Sequence, residues 1–164
     1  MSAIAERPSL TVPGQVRPGW KTLLVSALLA LALCGGAVAA YLAWENSRGE
    51  SGVCTIVHGC STVQQSKYGK FAGVPVSIPG LGLYLVLVTA ALVWLTNFRG
   101  LRPYAVVVGA FGSLFGFLLS LFLTYLEAYV IDAWCIYCIV SASLLTVLAA
   151  GWGALLVAEV RANR

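Results

Sequence analysis

The chain contains 164 residues, of which 60% are hydrophobic and only 10% are charged, with a formal net charge of +4. A soluble globular domain carries roughly 25% charged residues. A small soluble protein also leaves much of its surface in water, so it could not hide this much apolar side chain. The composition therefore excludes an ordinary soluble domain and indicates a protein that is surrounded by lipid.

Four stretches of the sequence carry no charge and are long enough to cross a membrane as helices, which takes about 20 residues. The stretches are 22–44, 71–98, 103–126 and 133–158. They show no alternating β pattern, and backbone groups in lipid must be satisfied within their own segment. We therefore predict an all-α membrane protein, a four-transmembrane-helix bundle with helices near 22–44, 78–97, 104–126 and 134–158.

The basic residues predict how the bundle sits in the membrane, because cytoplasmic segments carry an excess of Lys and Arg. With four spans, seven basic residues fall on one side and three on the other: Arg7, Arg17, Lys21, Arg99, Arg102, Arg161 and Arg164 against Arg48, Lys67 and Lys70. We expect cytoplasmic termini, a flexible N-terminal segment over 1–20 and a membrane domain over 21–160. The 45–77 loop and a short 127–133 turn should then be exoplasmic.

Four of the five cysteines fall on the predicted exoplasmic side: Cys54, Cys60, Cys135 and Cys138. The topology used Lys and Arg alone, so this agreement is an independent observation. The exoplasmic side is the oxidising one, where disulfides persist. The fifth cysteine, Cys34, lies in the middle of the first span and is interpreted as a small buried hydrophobic residue.

Cys135 and Cys138 form a C-x-x-C motif at the predicted start of the fourth helix. One alternative is that the two cysteines are half of a zinc site. Such a site would need Cys54 and Cys60 as its other two ligands, and the spacing between those two is unusually wide for zinc. An inert disulfide is a second alternative. Redox chemistry accounts for the position better. With Asp132 as the helix cap, Cys135 would be near the third helical residue and Cys138 one turn later. Unpaired N–H groups and the helix dipole would favour a thiolate there.

Cys54 and Cys60 lie in the long loop, which is rich in glycine and poor in apolar residues. A mobile pair beside a helix-anchored pair predicts a two-stage relay, in which thiolates attack disulfide sulfurs in turn. The alternative is a loop braced by a disulfide that never turns over. His58, the single histidine, lies between the two cysteines and is interpreted as a solvated loop residue.

The cysteine pattern resembles the vitamin K epoxide reductase family, in its bacterial form. The resemblance rests on Cys54 and Cys60, on Ser66 six residues later, on the motif C-I-Y-C that opens the last helix, and on the run G-V-P-V-S-I-P-G over 73–80. It covers about residues 20–158. It implies a four-helix bundle around a quinone, with an exoplasmic loop and a short capping helix.

The resemblance also implies a role for each residue of the motif. Cys138 would react with the quinone, and Cys135 would exchange with the loop. Cys60 would be the loop cysteine that meets Cys135, and Cys54 the one that a reduced partner attacks. Ser66 would sit on the capping helix close to the quinone head group.

The function implied is a quinone-dependent thiol–disulfide oxidoreductase of the bacterial inner membrane. It would re-oxidise a thioredoxin-fold, DsbA-like partner, pass electrons to menaquinone or ubiquinone without a metal, and support disulfide formation in exported proteins. No thioredoxin-like domain follows residue 158, so we expect a separate partner protein. Mammalian relatives have a tyrosine where this chain has Ala142, which favours a plain quinone over an epoxide as acceptor.

The third helix offers candidate quinone-binding residues at a spacing of four: Phe117, Leu121 and Tyr125. Such a stripe could line a pocket or form bundle core. A DsbB-type oxidase is an alternative interpretation of the whole chain, but in that protein the order of the two cysteine pairs is reversed. A non-enzymatic scaffold braced by disulfides is a second alternative. A transporter is disfavoured because we expect no ionisable group inside a span.

Overall fold

The computed structural model describes residues 19–48, 70–71, 74–131 and 134–162. Four long helices form the protein: α1 (Trp20–Ser47), α2 (Ser77–Thr96), α3 (Arg102–Leu126) and α4 (Ile136–Ala162). Two short strands precede α2: β1 (Lys70–Phe71) and β2 (Val74–Pro75), paired antiparallel. All four helices are long and apolar enough to cross a membrane. The prediction of an all-α membrane bundle is confirmed.

The helix ends differ from the predicted ones at two carboxylates. α1 continues to Ser47, beyond the predicted start of the loop at residue 45. α3 continues into a π-helical segment, Glu127–Ile131, so the predicted short turn over 127–133 is wrong for these residues. We had taken each charge as the end of a helix. Glu45 and Glu127 are instead both buried, so neither charge marks a boundary.

The helices form a ring in which each packs against two neighbours. α1 contacts α2 and α4, and α3 contacts the same two helices. Lys21 near the start of α1 forms an ion pair of 2.9 Å with Glu159 near the end of α4. At the opposite end, the rings of Tyr41 and Tyr137 lie 6.1 Å apart. α1 and α4 therefore run antiparallel.

The turn between α2 and α3 closes one end of the bundle. Asn97, Arg99 and Gly100 all have positive φ there (49°, 51° and 71°), which reverses the chain within a few residues. The Arg102 side chain lies over the Trp94 ring and donates a hydrogen bond from Nε to the Trp94 carbonyl oxygen at 2.9 Å. The same carbonyl oxygen accepts a hydrogen bond from the backbone N–H of Asn97 at 3.3 Å, so the end of α2 is held both by the turn and by Arg102.

Small residues on α3 allow the neighbouring helices to pack closely, as is common in membranes. The indole ring of Trp152 lies directly against Gly109, with its Cε2 atom 2.6 Å from where a Cβ would be. Leu83 lies against Gly116 in the same way. At Gly112 the nearest atom, Cδ2 of Leu87, would be at an ordinary 3.5 Å. Gly109 thus has no room for a side chain beside the rigid indole ring, a Cβ at Gly116 would require the flexible end of Leu83 to move, and Gly112 has room.

Candidate redox site

Cys135 is the residue that caps the N-terminus of α4. The helix begins at Ile136, and the Cys135 carbonyl oxygen accepts the first helical hydrogen bond, from Ile139 N at 3.1 Å. The predicted place of Cys135, near the third helical residue, is therefore wrong by one turn. Asp132, the predicted cap, lies outside the described residues. A cap position puts the Cys135 sulfur beside the unpaired N–H groups of the first turn.

This environment lowers the pKa of the Cys135 thiol. The largest cause is a hydrogen bond from the Cys138 side chain, and the backbone N–H groups of Cys138 and Tyr137 add to it. Complete burial and the nearby Glu127 carboxyl oppose the shift without reversing it. A lowered pKa means that the thiolate forms at a lower pH than for an ordinary thiol. The thiolate is the species that attacks disulfides and that leaves easily from them.

Glu127 lies directly beside the two thiols. Its side chain is only 2% exposed, and its Oε2 atom accepts a hydrogen bond from Cys135 N at 3.2 Å. The Cys138 thiol is also within hydrogen-bonding range of the carboxyl. Oε1 has no hydrogen-bond partner among the described residues. The π-helical turn at Glu127 widens the helix at this point, as such turns often do at functional sites.

A cavity of about 190 Å³ lies between the four helices, and Cys138 forms part of its wall. Cys135 does not, so the two sulfurs of the motif face different surroundings. The wall is mainly apolar. Its α3 and α4 residues are Phe115, Gly116, Leu119, Ser120, Leu123, Thr124, Leu126, Glu127, Tyr137, Cys138, Ser141 and Leu145. α1 and the start of α2 complete it with Val38, Ala39, Leu42, Val76, Ser77, Pro79, Gly80, Leu83 and Tyr84.

The polar groups of the cavity are few and specific. The Tyr84 hydroxyl and Ser141 Oγ share a hydrogen bond of 2.8 Å between α2 and α4. Ser77 Oγ is buried with no partner among the described residues, and so is Glu127 Oε1. Buried polar atoms are normally hydrogen-bonded, so two unpartnered ones on one wall call for a ligand with polar atoms of its own. An apolar cavity with a few convergent polar groups fits a quinone ring.

The sequence matches the vitamin K epoxide reductase family over residues 26–151, which include all of α2 and α3, most of α1 and α4, and both cysteine pairs. The chain belongs to this family. Its members are membrane oxidoreductases that link disulfides to quinones. A comparison with curated proteins gave no match. The family match and the four apolar helices make this a multi-pass membrane protein.

The predicted stripe on α3 does not line this cavity, and its role in quinone binding stays a prediction. Leu121 and Tyr125 are 50% and 56% exposed on the outside of the bundle, and Phe117 is half-buried. None of the three lines the cavity. The spacing of four correctly identified residues that share one face of α3, but it did not show whether that face points into the bundle or toward lipid. The neighbouring face, which carries Gly116 and Ser120, points inward instead.

Several predicted residues lie outside the described part of the chain: Cys54, Cys60, Ser66 and His58. Their roles stay predictions. Cys34 is described, and the interpretation of this residue as buried is wrong, because its side chain is exposed on the outer surface of α1. An exposed position on a transmembrane helix faces lipid, where a cysteine is as acceptable as a small apolar residue.

Sequence reasoning missed three polar residues of the cavity, Ser77, Tyr84 and Ser141. Ser141 could have been found, because it lies three residues after Cys138 and so shares its helix face. Ser77 and Tyr84 carry no such signal. They belong to α2, and only the assembly of all four helices brings them to the cavity that Cys138 borders.

Proposed function

We propose that this protein oxidises the thiols of a thioredoxin-fold, DsbA-like partner and transfers the electrons to menaquinone or ubiquinone. Its role would be to support disulfide formation in exported proteins. The observation that carries the proposal is the position of Cys138, which lines an apolar cavity while its neighbour Cys135 occupies a helix cap that favours thiolate. One thiol of the pair thus faces the quinone site and the other is suited to disulfide exchange.

The reaction sequence begins in the loop. A thiolate of the reduced partner attacks the Cys54–Cys60 disulfide at Cys54, and the second partner thiol completes that exchange. The freed Cys60 attacks Cys135 and displaces Cys138 as a thiolate. Cys54 then attacks Cys60 and releases Cys135, so that the loop disulfide is restored and both thiols of the motif are reduced.

The second half takes place at the cavity. When bound, a quinone accepts two electrons and two protons and leaves as the quinol. Cys138 on the cavity wall is the sulfur that gives up electrons, and the Cys135–Cys138 disulfide re-forms. The hydroxyls of Ser77 and of the Tyr84–Ser141 pair are placed to orient the oxygens of the ring. Ser66, on the predicted capping helix, is a further candidate from the resemblance.

The proposed setting is the inner membrane of a bacterium, with both termini cytoplasmic and the cysteines exoplasmic. Lys21, Arg99, Arg102 and Arg161 belong to the end of the bundle opposite Cys135, which supports this orientation. We further propose that 21–160 forms one membrane domain and that 1–20 is a separate cytoplasmic segment.

The test is quinol formation by the purified protein with a reduced thioredoxin-fold oxidase and a soluble quinone analogue. We expect turnover by the wild type and by Cys34→Ala, because Cys34 is remote from the cavity. The variants Cys54→Ala, Cys60→Ala, Cys135→Ala and Cys138→Ala should fall to the uncatalysed rate. Quinol formation by Cys138→Ala would show that the proposal is wrong, and an inactive wild type would favour a scaffold.

Dithiothreitol distinguishes the two cysteine pairs. This small dithiol can replace the loop, so Cys54→Ala and Cys60→Ala should recover quinol formation when it is supplied. Cys135→Ala and Cys138→Ala should not recover. Loss of the dithiothreitol reaction in all four variants alike would contradict the two-stage relay.

A further inference from the structure

We propose that Glu127 is a catalytic acid–base residue that takes the proton from the Cys138 thiol and delivers it to the ligand in the cavity. The inference rests on the proposed quinone reduction and assigns one of the proton transfers that this reaction requires. It is carried by the geometry of the carboxyl group, which accepts a hydrogen bond from the backbone N–H of Cys135, lies within hydrogen-bonding range of the Cys138 thiol and also borders the cavity.

The two carboxyl oxygens of Glu127 have different surroundings. Oε2 is held by the backbone N–H of Cys135, which fixes the orientation of the group at the start of α4. Oε1 is buried and has no hydrogen-bond partner among the described residues. The group therefore has one anchored oxygen and one that is available to a proton donor or acceptor at the cavity wall.

The cost of burying this carboxyl is the second argument. A buried polar group without a full set of partners destabilises the fold by about 1–3 kcal/mol, and more if it is charged. Ionisable residues within membrane spans usually mark sites of proton or ion movement for this reason. Glu127 lies in the span Arg102–Val130, contrary to our expectation that no span contains an ionisable group. A leucine would pack there without this cost.

The proton balance of the reaction requires such a group. Closing the Cys135–Cys138 disulfide releases two electrons and, from two thiols, two protons. Cys135 enters the step as the thiolate that the exchange releases, a form that its lowered pKa favours, and Cys138, which was displaced as a thiolate, has first taken up a proton from water. The proton of Cys138 is then transferred to the Glu127 carboxylate as the S–S bond forms, and the carboxylic acid gives it to a quinone oxygen. The second proton of the quinol comes from water, so two electrons and two protons are transferred in total.

The decisive variant is Glu127→Gln, which keeps the size of the side chain and an oxygen for the Cys135 N–H but cannot carry a proton. With dithiothreitol and a soluble quinone analogue, we expect quinol formation to fall by roughly 10²–10⁴-fold, the usual contribution of general acid–base catalysis. Glu127→Asp keeps the carboxyl and should recover part of the rate. Glu45→Gln is the matched control, because Glu45 is also buried but lies away from this cavity, and its rate should equal that of the wild type.

A second measurement needs no quinone. Infrared difference spectra between the dithiol and disulfide forms, recorded in a Cys54→Ser, Cys60→Ser background, report carboxyl groups that change their protonation or hydrogen bonding. We expect a redox-linked carboxyl signal in this background and in its Glu45→Gln variant, and none in its Glu127→Gln variant. With no quinone to take the proton, the proposed transfer leaves Glu127 as a carboxylic acid in the disulfide form, so the expected signal is the C=O band of a protonated carboxyl. A carboxyl with a purely structural role would change only its hydrogen bonding and would not gain this band.

The outcomes separate the two proposals. A wild type that forms no quinol contradicts the proposed function itself. An active wild type with an equally active Glu127→Gln variant contradicts only the role of Glu127. Thermal unfolding of each variant in detergent identifies a folding defect. If Glu127→Gln does not fold, the infrared measurement on the Cys54→Ser, Cys60→Ser protein tests the inference instead. The absence of a redox-linked carboxyl signal in that protein would overturn the role of Glu127.

Discussion

The two halves of the bundle are built from the same four helices but differ in how they fill space. In the basic half, which ends at Lys21, Arg102 and Arg161, large buried side chains such as Trp152 press against glycine. In the cysteine half, which ends at Cys135, the helices enclose a cavity of about 190 Å³. The first half is packed as a core, and the second is built around a space.

This difference indicates where a membrane protein of this size carries its chemistry. A void deprives its lining of packing contacts and destabilises the fold unless a ligand fills it. Two of the described buried atoms without a partner, Ser77 Oγ and Glu127 Oε1, lie on the wall of that void. Trp152 Nε1 in the basic half is also buried without a partner among the described residues, but only in the cysteine half do such atoms coincide with a void and with the thiols. This coincidence supports our proposal that the chemistry takes place in the cysteine half.

Among the changes that compare the two halves, the largest effect is expected from filling the cavity. Ser141→Leu would place a bulky side chain beside Cys138 and would remove the hydroxyl that is hydrogen-bonded to Tyr84. We expect kcat/KM for the quinone to fall by roughly 100-fold, which corresponds to about 2.7 kcal/mol. The measurement is the rate of quinol formation against quinone concentration, with dithiothreitol as the reductant.

Ser143→Leu is the matched control for this variant. Ser143 lies on the same helix, two residues further on, and its side chain is exposed and bonded only to the Ile139 carbonyl oxygen. The same substitution there should leave kcat/KM unchanged. Equal losses in both variants would mean that the cavity is not the quinone site.

An intermediate effect is expected in the basic half, on stability. Gly109→Ala puts a methyl group into the Trp152 ring, and overpacking of this kind costs about 1–3 kcal/mol. Gly112→Ala meets only ordinary contacts, with Leu87 Cδ2 at 3.5 Å. Both changes replace glycine by alanine within α3, so both variants gain the same helix propensity. The difference in stability between them therefore reports the clash with Trp152 alone.

Thermal unfolding in detergent measures this pair. Gly109→Ala should unfold at a clearly lower temperature than the wild type, and Gly112→Ala at the same temperature or slightly above. Quinol formation by folded Gly109→Ala should be close to normal, because the change is confined to the basic half. Equal unfolding temperatures for the two variants would contradict the close packing of Trp152 on α3.

The sequence was sufficient to predict the four helices and the cysteine pair at the start of the last one. It was not sufficient to predict which side of α3 faces inward, because this helix is apolar all round and polarity does not separate lipid from core. The small residues of α3 are what indicates its inward face. The inward face carries Gly109, Ser113 and Gly116, and the same face continues to Ser120 in the cavity wall. Of the candidate stripe, Leu121 and Tyr125 are exposed on the outside of the bundle and Phe117 is half-buried.

Glu127 shows a second limit of sequence reasoning. A carboxylate next to an apolar run predicts the end of a transmembrane helix, because charged side chains are rarely buried. Whether a particular carboxylate is buried depends on what the neighbouring helices offer, here the N–H of Cys135 and the thiol of Cys138. These contacts join residues of different elements, and no local pattern in α3 encodes them.

The smallest effect is expected for the ion pair at the far end of the basic half. Lys21 Nζ lies 2.9 Å from Glu159 Oε1, and the two side chains are 31% and 34% exposed. Because water and salt screen a pair this accessible, the coupling between the two residues should be about 0–1 kcal/mol and should shrink as salt is added. A double-mutant cycle of Lys21→Gln and Glu159→Gln, followed by thermal unfolding, measures it. Quinol formation should be unchanged in all three variants. A coupling well above 1 kcal/mol, or a loss of turnover, would mean that the basic half controls the geometry of the cavity, and the division of the bundle into a packed half and a reactive half would fail.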